Sequence, residues 1–187
     1  MNNNFDTKKL TMYAILTAIV IILQYLAILL RPTFFSVSLV LVPIVIGAAL
    51  YGPKLGAWLG FVFGVIVLLS GDANPFIPIN FWGTIITVIL KGTLAGLATG
   101  LVYNWLKKVN TDVAVTVSAI VCPIVNSGIF AIGCFTFFMD WVTQQAGTES
   151  AVSYIFLTLI MTNFLLELLV NVVLSPVIVR LLKIRKA

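Results

Sequence analysis

The sequence predicts an all-α integral membrane protein with six transmembrane helices and with both termini in the cytoplasm. The first observation is composition, because 61% of the 187 residues are hydrophobic and only 9% are charged, whereas soluble domains are roughly 45–50% apolar and 25% charged. The second is a series of apolar segments separated by turn-forming residues. The third is the placement of the basic residues, which fall at segment ends. The chain, residues 1–187, is predicted to be one domain in the lipid bilayer.

The predicted spans are bounded by proline, glycine or charged residues, and most are long enough to cross a hydrocarbon core of about 30 Å. They are Leu10–Leu30, Ser38–Tyr51, Leu55–Ser70, Asn80–Leu106, Val113–Phe138 and Ala151–Leu182. Three of the segments between them, Arg31–Val37, Gly71–Ile79 and Met139–Ser150, are predicted to be loops on one side of the membrane.

The basic residues set the predicted orientation. With the N-terminus in the cytoplasm, nine of the 11 lysines and arginines lie on the cytoplasmic side, and the exceptions are Arg31 outside and Lys91 within the membrane. This distribution obeys the positive-inside rule, so the three loops are expected to face outward. Because the basic residues form no patch, nucleic acid is not an expected partner.

Glycines in the third and fourth spans recur at every fourth position, which places each set on one helix face. They are Gly56, Gly60 and Gly64 in the third span and Gly92, Gly96 and Gly100 in the fourth. Rows of small residues allow helices in membranes to approach backbone to backbone. Both spans are therefore expected to pack closely against neighbours, and one arrangement packs them against each other.

Lys91 and Glu167 lie near the middle of the fourth and sixth spans. A charge at this depth must face a partner or a wet cavity. Two interpretations stay open: a substrate or proton site, and a structural ion pair supported by hydrogen bonds from Asn163 and Asn171.

A second polar group, Asn126 and Ser127, precedes Gly128 in the fifth span and follows Pro123. It either lines a cavity or makes ordinary hydrogen bonds between helices. Aromatic residues near the outer loops are membrane-interface residues or walls of an outward-facing pocket with a few polar anchors. The candidate substrate-binding residues are Arg31, Phe34, Phe35, Asn80, Trp82, Thr84, Asn126, Ser127, Trp141, Tyr154 and Thr158.

An enzyme is not predicted. Histidine is absent, which removes the usual general base and zinc ligand. A membrane enzyme needs a cluster of acids, histidines or cysteines at one depth, and Lys91 and Glu167 are too few. No catalytic residue, metal or cofactor is therefore expected.

Ala14 and Ala18 form a small-residue patch on the first span. With six spans in under 190 residues, both termini inside and a loop after the first helix, the chain resembles the substrate-binding S-components of energy-coupling factor (ECF) vitamin transporters. Three further stretches carry the resemblance: Val42-Pro43-Ile44, Tyr51-Gly52-Pro53 and Lys91-Gly92-Thr93-Leu94-Ala95-Gly96. The resemblance covers essentially the whole chain.

The resemblance implies an S-component bundle in a bacterial or archaeal plasma membrane. It implies binding of a vitamin or micronutrient at the outer side, with the loop Arg31–Val37 as a lid. Ala14 and Ala18 would dock on a membrane T-component driven by two cytoplasmic ATPases. The chain has no phosphate-binding loop of its own, since Lys91-Gly92-Thr93 reverses the Gly-Lys-Thr order. Pantothenate and riboflavin lead the substrate hypotheses, followed by folate and other micronutrients.

The alternative function is an autonomous secondary transporter. Such carriers are built from inverted repeats with interrupted helices at matching positions. The sequence has no convincing internal repeat, which favours the S-component.

Overall fold

The structure is a computed structural model that describes residues 7–29 and 39–186 of the chain. These residues form helices and turns, and no strand occurs among them. The elements are α1 Thr7–Leu29, α2 Leu41–Tyr51, α3 Pro53–Leu69, α4 Phe81–Leu106, α5 Thr111–Phe137, α6 Met139–Ala146, α7 Ala151–Ser153, a π-helix Tyr154–Ile160 and α8 Met161–Lys186. The all-α prediction is confirmed.

Four helices, α1, α4, α5 and α8, are long and apolar enough to cross a bilayer. Helices α2 and α3 are also apolar but contain 11 and 17 residues. At about 1.5 Å per residue they rise only about 16 and 25 Å, less than a hydrocarbon core of about 30 Å. The chain is therefore a multi-pass membrane protein, while the six spans and the orientation stay predictions.

Helices α3 and α4 pack with their backbones in direct contact. A Cβ atom added to Gly60 would overlap the carbonyl group of Gly92, and one added to Gly96 would overlap that of Gly56. The fourfold spacing places these glycines on one face of each helix, and their lack of side chains lets the helix axes approach. This contact confirms that the two glycine rows pack closely, and it shows that they pack against each other.

The turn from α2 to α3 consists of a single residue. Gly52 adopts a φ of +93°, a backbone conformation that glycine reaches without steric cost. Pro53 follows at the first position of α3, where its missing N–H leaves no hydrogen bond unmade. The turn therefore lays α2 back along α3, and the buried residues Leu41, Ile44 and Leu59 join the main apolar core.

Helix α1 lies at the edge of the bundle, and side-chain hydrogen bonds help to join it to its neighbours. Trp58 Nε1 donates to Thr17 Oγ1 at 3.2 Å, and Gln24 Nε2 donates to Asp72 Oδ2 at 3.1 Å. Gln24 is fully buried, so the second bond provides a partner for an amide that would otherwise be costly to bury. These bonds hold α1 against α3 and against the turn that follows α3.

Residues Met139–Ala146 form a helix where the sequence analysis predicts a loop, so that prediction was wrong for this part of Met139–Ser150. Only Val142 and Ala146 of α6 are buried. An apolar stripe of two residues is too short to give a recognisable helical period. Asp140 lies in the first turn of α6, where a carboxylate interacts favourably with the helix dipole.

Candidate functional site

The candidate site lies where the end of α5, α6 and the turn between α3 and α4 meet. Phe76 of this turn is central, since its ring centroid lies 5.6 Å from that of Phe130, 5.1 Å from Phe138 and 5.5 Å from Trp141. Tyr154 packs against the same group of apolar residues. Two aromatic residues named from the sequence, Trp141 and Tyr154, are thus brought together. We call Phe76, Phe130, Phe138 and Trp141 the aromatic cluster.

Lys91 lies beside the aromatic cluster on α4. Its Nζ is 5.4 Å from the ring centroid of Phe130 and 5.8 Å from that of Phe63. Both distances are within the range of an attractive cation–π contact. The side chain is half-buried, so two ring faces replace part of the water that an ammonium group would otherwise hold.

Thr84 and Thr87 precede Lys91 on the same part of α4. Thr84 is buried, and its hydroxyl donates to the carbonyl of Asn80 at 2.8 Å. Thr87 is also buried, and its hydroxyl has no hydrogen-bond partner within the described part of the chain. Gly133 of α5 lies directly against Thr87, where a Cβ would overlap the threonine side chain. The sequence analysis missed Thr87, although its spacing of four residues from Lys91 places both on one helix face.

Asn126 and Glu167 connect α5 to α8. Asn126 Nδ2 donates to Glu167 Oε2 at 3.3 Å, and both side chains are 5% exposed. Asn171 Nδ2 donates to the backbone carbonyl of Glu167 at 2.8 Å. The Oδ1 atom of Asn126 has no hydrogen-bond partner in residues 7–29 and 39–186. Asn126 thus makes a hydrogen bond between helices, one of the two alternatives predicted from the sequence, while lining of a cavity stays a prediction.

The contacts that the structure gives Lys91 and Glu167 differ. The ammonium group of Lys91 lies over Phe63 and Phe130, whereas the carboxylate of Glu167 accepts a hydrogen bond from Asn126. An ion pair between Lys91 and Glu167 stays a prediction.

Several other candidate residues do not belong to the aromatic cluster. Asn80 caps α4, since its Oδ1 accepts a hydrogen bond from the backbone N–H of Gly83 at 2.8 Å, as asparagine commonly does at a helix start. Trp82 is 70% exposed, and Thr158 is also exposed, while Ser127 is half-buried. Arg31, Phe34 and Phe35 lie outside the described residues. Their roles in binding stay predictions.

Ala14 and Ala18 are exposed on α1 and border an apolar groove between α1 and α3. Its volume is about 600 Å³. It is lined by Leu10, Tyr13, Ala14, Thr17, Ala18, Ile21, Lys54, Leu55 and Trp58. The two alanines leave this face of α1 flat, which is the shape that close helix packing in a membrane requires.

The candidate site combines buried polar groups with an aromatic wall. An ammonium group, a hydroxyl and an amide lie along α5 beside an aromatic wall. Small-molecule sites combine apolar walls with a few polar groups that orient the ligand. Thr87 and Asn126 each keep a polar atom with no partner in the described chain.

The chain was compared with known protein families, curated proteins and solved structures. The family model described as the ECF transporter, substrate-specific component, matches residues 8–179. Neither a curated protein nor a solved structure matches the chain. The match runs from the second residue of α1 to residue 179 within α8, and it includes every helix that contributes to the candidate site. This family consists of transporter components and is not an enzyme family. The chain therefore belongs to the family of substrate-specific components of ECF transporters.

Proposed function

We propose that this protein is the vitamin-binding S-component of an ECF-type importer. It captures a vitamin or related micronutrient from outside the cell and delivers it through a membrane T-component that two cytoplasmic ATPases drive. The observation that carries the proposal is the family match over residues 8–179. Pantothenate and riboflavin remain the leading substrates, and a substrate that carries a carboxylate or a phosphate would suit Arg31.

The proposed orientation follows from charge. Nine of the 11 lysines and arginines fall on one side if the N-terminus is cytoplasmic, as the positive-inside rule requires. Lys183 and Asp112, which form an ion pair at 3.0 Å, then lie at the cytoplasmic end of the bundle. The aromatic cluster lies at the opposite end of α5, where an incoming vitamin first meets the protein.

A panel of vitamins tests binding directly. We expect one member to raise the melting temperature of the purified chain, because a ligand that binds only the folded state must stabilise it. The panel contains pantothenate, riboflavin, folate, biotin, nicotinate and thiamine. No shift with any of them would contradict vitamin binding.

The alternative, an autonomous secondary transporter, predicts uptake without partners. Vesicles that contain this chain alone are compared with vesicles that also contain the T-component, the two ATPases and internal ATP. We expect uptake only in the complete system, and the complete system without ATP is the control. Uptake by the chain alone would favour the secondary transporter.

Ala14 and Ala18 are proposed to dock on the T-component. The exposed groove beside them lies away from the aromatic cluster. Ala14→Trp or Ala18→Trp is therefore expected to abolish uptake by the complete system while vitamin binding stays unchanged. Ile19→Trp, at an exposed position of α1 that does not line the groove and lies on a different helix face from the two alanines, is the control. Equal loss of binding and uptake in the alanine variants would count against docking at this face.

The segment Arg31–Val37 is proposed to close over the bound vitamin, with Phe34 or Phe35 covering it. A lid that slows escape acts mainly on the dissociation rate. Phe34→Ala and Phe35→Ala are therefore expected to speed ligand release, with little change in association, when release is followed by stopped flow. Unchanged release in both variants would mean that the phenylalanines are membrane-interface residues.

A further inference from the structure

Lys91 is the most unusual side chain in the α4–α5 contact. It is a cation in the interior part of a membrane-spanning helix, a position that is costly unless a partner or a cavity is present. The contacts that the structure gives it are the faces of Phe63 and Phe130. Ring faces attract the ammonium group but carry no net negative charge, and they cannot use its three N–H donors fully.

Two further buried polar atoms belong to Thr87 of α4 and to Asn126 of α5, whose Nδ2 donates to Glu167 of α8. Thr87, one turn before Lys91, packs on Gly133 of α5, and Lys91 packs on Phe130, one turn away along α5. Asn126 follows one turn further along α5. Within the described chain, the hydroxyl of Thr87 and the Oδ1 of Asn126 have no hydrogen-bond partner. Thr87 is 3% exposed and Asn126 5% exposed, and buried polar atoms of this kind are normally satisfied.

We infer that Lys91 binds the carboxylate of the substrate, and that Thr87 and Asn126 hydrogen-bond the polar groups next to it. This inference rests on the proposed vitamin-binding function and narrows the substrate to a small carboxylic acid. An ammonium–carboxylate contact is a charge-assisted hydrogen bond, which is stronger than a neutral one. Removal of water by the aromatic cluster strengthens it further.

A carboxylate fits this position better than a phosphate ester. A phosphate monoester carries a charge of about −1.5 to −2 at pH 7, so one lysine would leave part of that charge uncompensated inside the bundle. A carboxylate carries one negative charge, which matches the single positive charge of Lys91. Among the leading substrates, this charge balance favours pantothenate over riboflavin, which has no carboxylate.

Matched pairs of ligands test the inference on the unmodified protein. Each pair contains an acid and a neutral analogue of nearly the same shape: pantothenate with pantothenol, nicotinate with nicotinamide, and biotin with biotin amide. We expect one acid to bind, and its neutral analogue to bind about 10- to 100-fold more weakly, as loss of one hydrogen bond to a charged group implies. Riboflavin, riboflavin 5′-phosphate and thiamine complete the panel.

Variants of Lys91 provide the second test. Lys91→Met is expected to weaken binding of the acid about 10- to 100-fold and to weaken binding of the neutral analogue much less. Lys91→Arg, which keeps the charge, is expected to retain part of the preference for the acid over its neutral analogue. If Lys91→Met does not fold, the comparison between acid and neutral analogue on the unmodified protein still decides.

The outcomes separate this inference from the proposed function. Stabilisation by riboflavin or thiamine, but by no acid, would overturn the inference and leave vitamin binding intact. If riboflavin 5′-phosphate alone stabilises the protein, the inference is also overturned, because the group that Lys91 binds would be a phosphate and not a carboxylate. Equal binding of acid and neutral analogue, or an equal effect of Lys91→Met on both, would assign Lys91 a structural role. No stabilisation by any compound would overturn vitamin binding, and this inference with it.

Discussion

The two packed sides of α4 have opposite compositions. The side toward α3 carries Gly92 and Gly96, and the backbones of the two helices touch there. The side toward α5 carries Thr87, which contacts Gly133, and Lys91, whose ammonium group lies over Phe130 of α5 and also over Phe63 of α3. The side toward α3 therefore has almost no side-chain freedom, whereas the side toward α5 has polar groups that require partners.

This difference indicates a division of roles within one helix. Backbone contact with α3 fixes the position of α4, since no flexible side chain separates the two helices. A fixed helix can hold Thr87 and Lys91 in a defined geometry, which a binding site needs from its supporting elements. Changes on the α3 side are thus expected to alter stability, and changes on the α5 side are expected to alter binding, unless Lys91 has a structural partner.

If Lys91 and Glu167 form the predicted ion pair, the two sides of α4 do not differ in this way, because the α5 side then also contributes strongly to stability. If the pair forms, Lys91→Met or Glu167→Leu alone leaves one buried charge uncompensated and is expected to cost about 3–5 kcal/mol of unfolding free energy. The double variant is then expected to recover much of the loss. Thermal unfolding of all four proteins without ligand measures this. A double variant no more stable than the weaker single variant would contradict the pair.

The α3 side is tested by adding one methyl group. Gly60→Ala and Gly92→Ala each place a Cβ against a backbone carbonyl of the partner helix, so the helices must separate. We expect a loss of about 1–3 kcal/mol in unfolding free energy, as overpacking usually costs. Thermal unfolding in detergent measures it.

Gly128→Ala is the matched control for the glycine contact. It lies in α5, and a Cβ at this position meets no atom within 4 Å. Alanine also has the higher helix propensity. We expect the control to change the unfolding free energy by less than about 0.5 kcal/mol, as an open surface position should. Equal destabilisation by all three substitutions would show that packing between α3 and α4 is not the cause.

Much of the fold could be predicted because lipid-exposed helices have simple sequence patterns. The predicted span Asn80–Leu106 agrees with α4, Phe81–Leu106, since a long apolar segment begins at an asparagine cap and ends before charged residues. The glycine rows were predictable because a spacing of four residues defines one helix face. Helix α6 was not predicted, since only Val142 and Ala146 anchor it.

The candidate site was less predictable than the fold. Asn80 was named as a binding residue, but the helix start that follows it was itself a signal for a cap. Thr87 was overlooked because a threonine in an apolar helix usually bonds to the carbonyl four residues before it. Only the three-dimensional structure shows that its hydroxyl has no such partner in the described chain. The sequence also cannot show that Phe63 and Phe130 flank Lys91.

Substitution of Thr87 is the most sensitive test of whether the α5 side of α4 contributes to binding while the α3 side contributes to stability. Thr87→Val keeps the shape of the side chain and removes a hydroxyl that is buried without a partner in residues 7–29 and 39–186. Without ligand, we expect the unfolding free energy to stay the same or to rise slightly, because an unsatisfied buried polar group is costly. With the vitamin identified by the panel, we expect binding to weaken about 3- to 10-fold, the equivalent of one neutral hydrogen bond.

Thr99→Val is the matched control, since Thr99 is also buried on α4 but donates to the carbonyl of Ala95 at 2.7 Å. It lies 12 residues from Thr87, or about 18 Å along the helix. Its loss is expected to lower the unfolding free energy by about 0.5–1.5 kcal/mol without changing vitamin binding. Calorimetric titration and thermal unfolding of both variants measure the two effects. If Thr87→Val behaves like Thr99→Val, with lower stability and unchanged binding, the α5 side of α4 near Thr87 contributes to packing and does not contact the substrate.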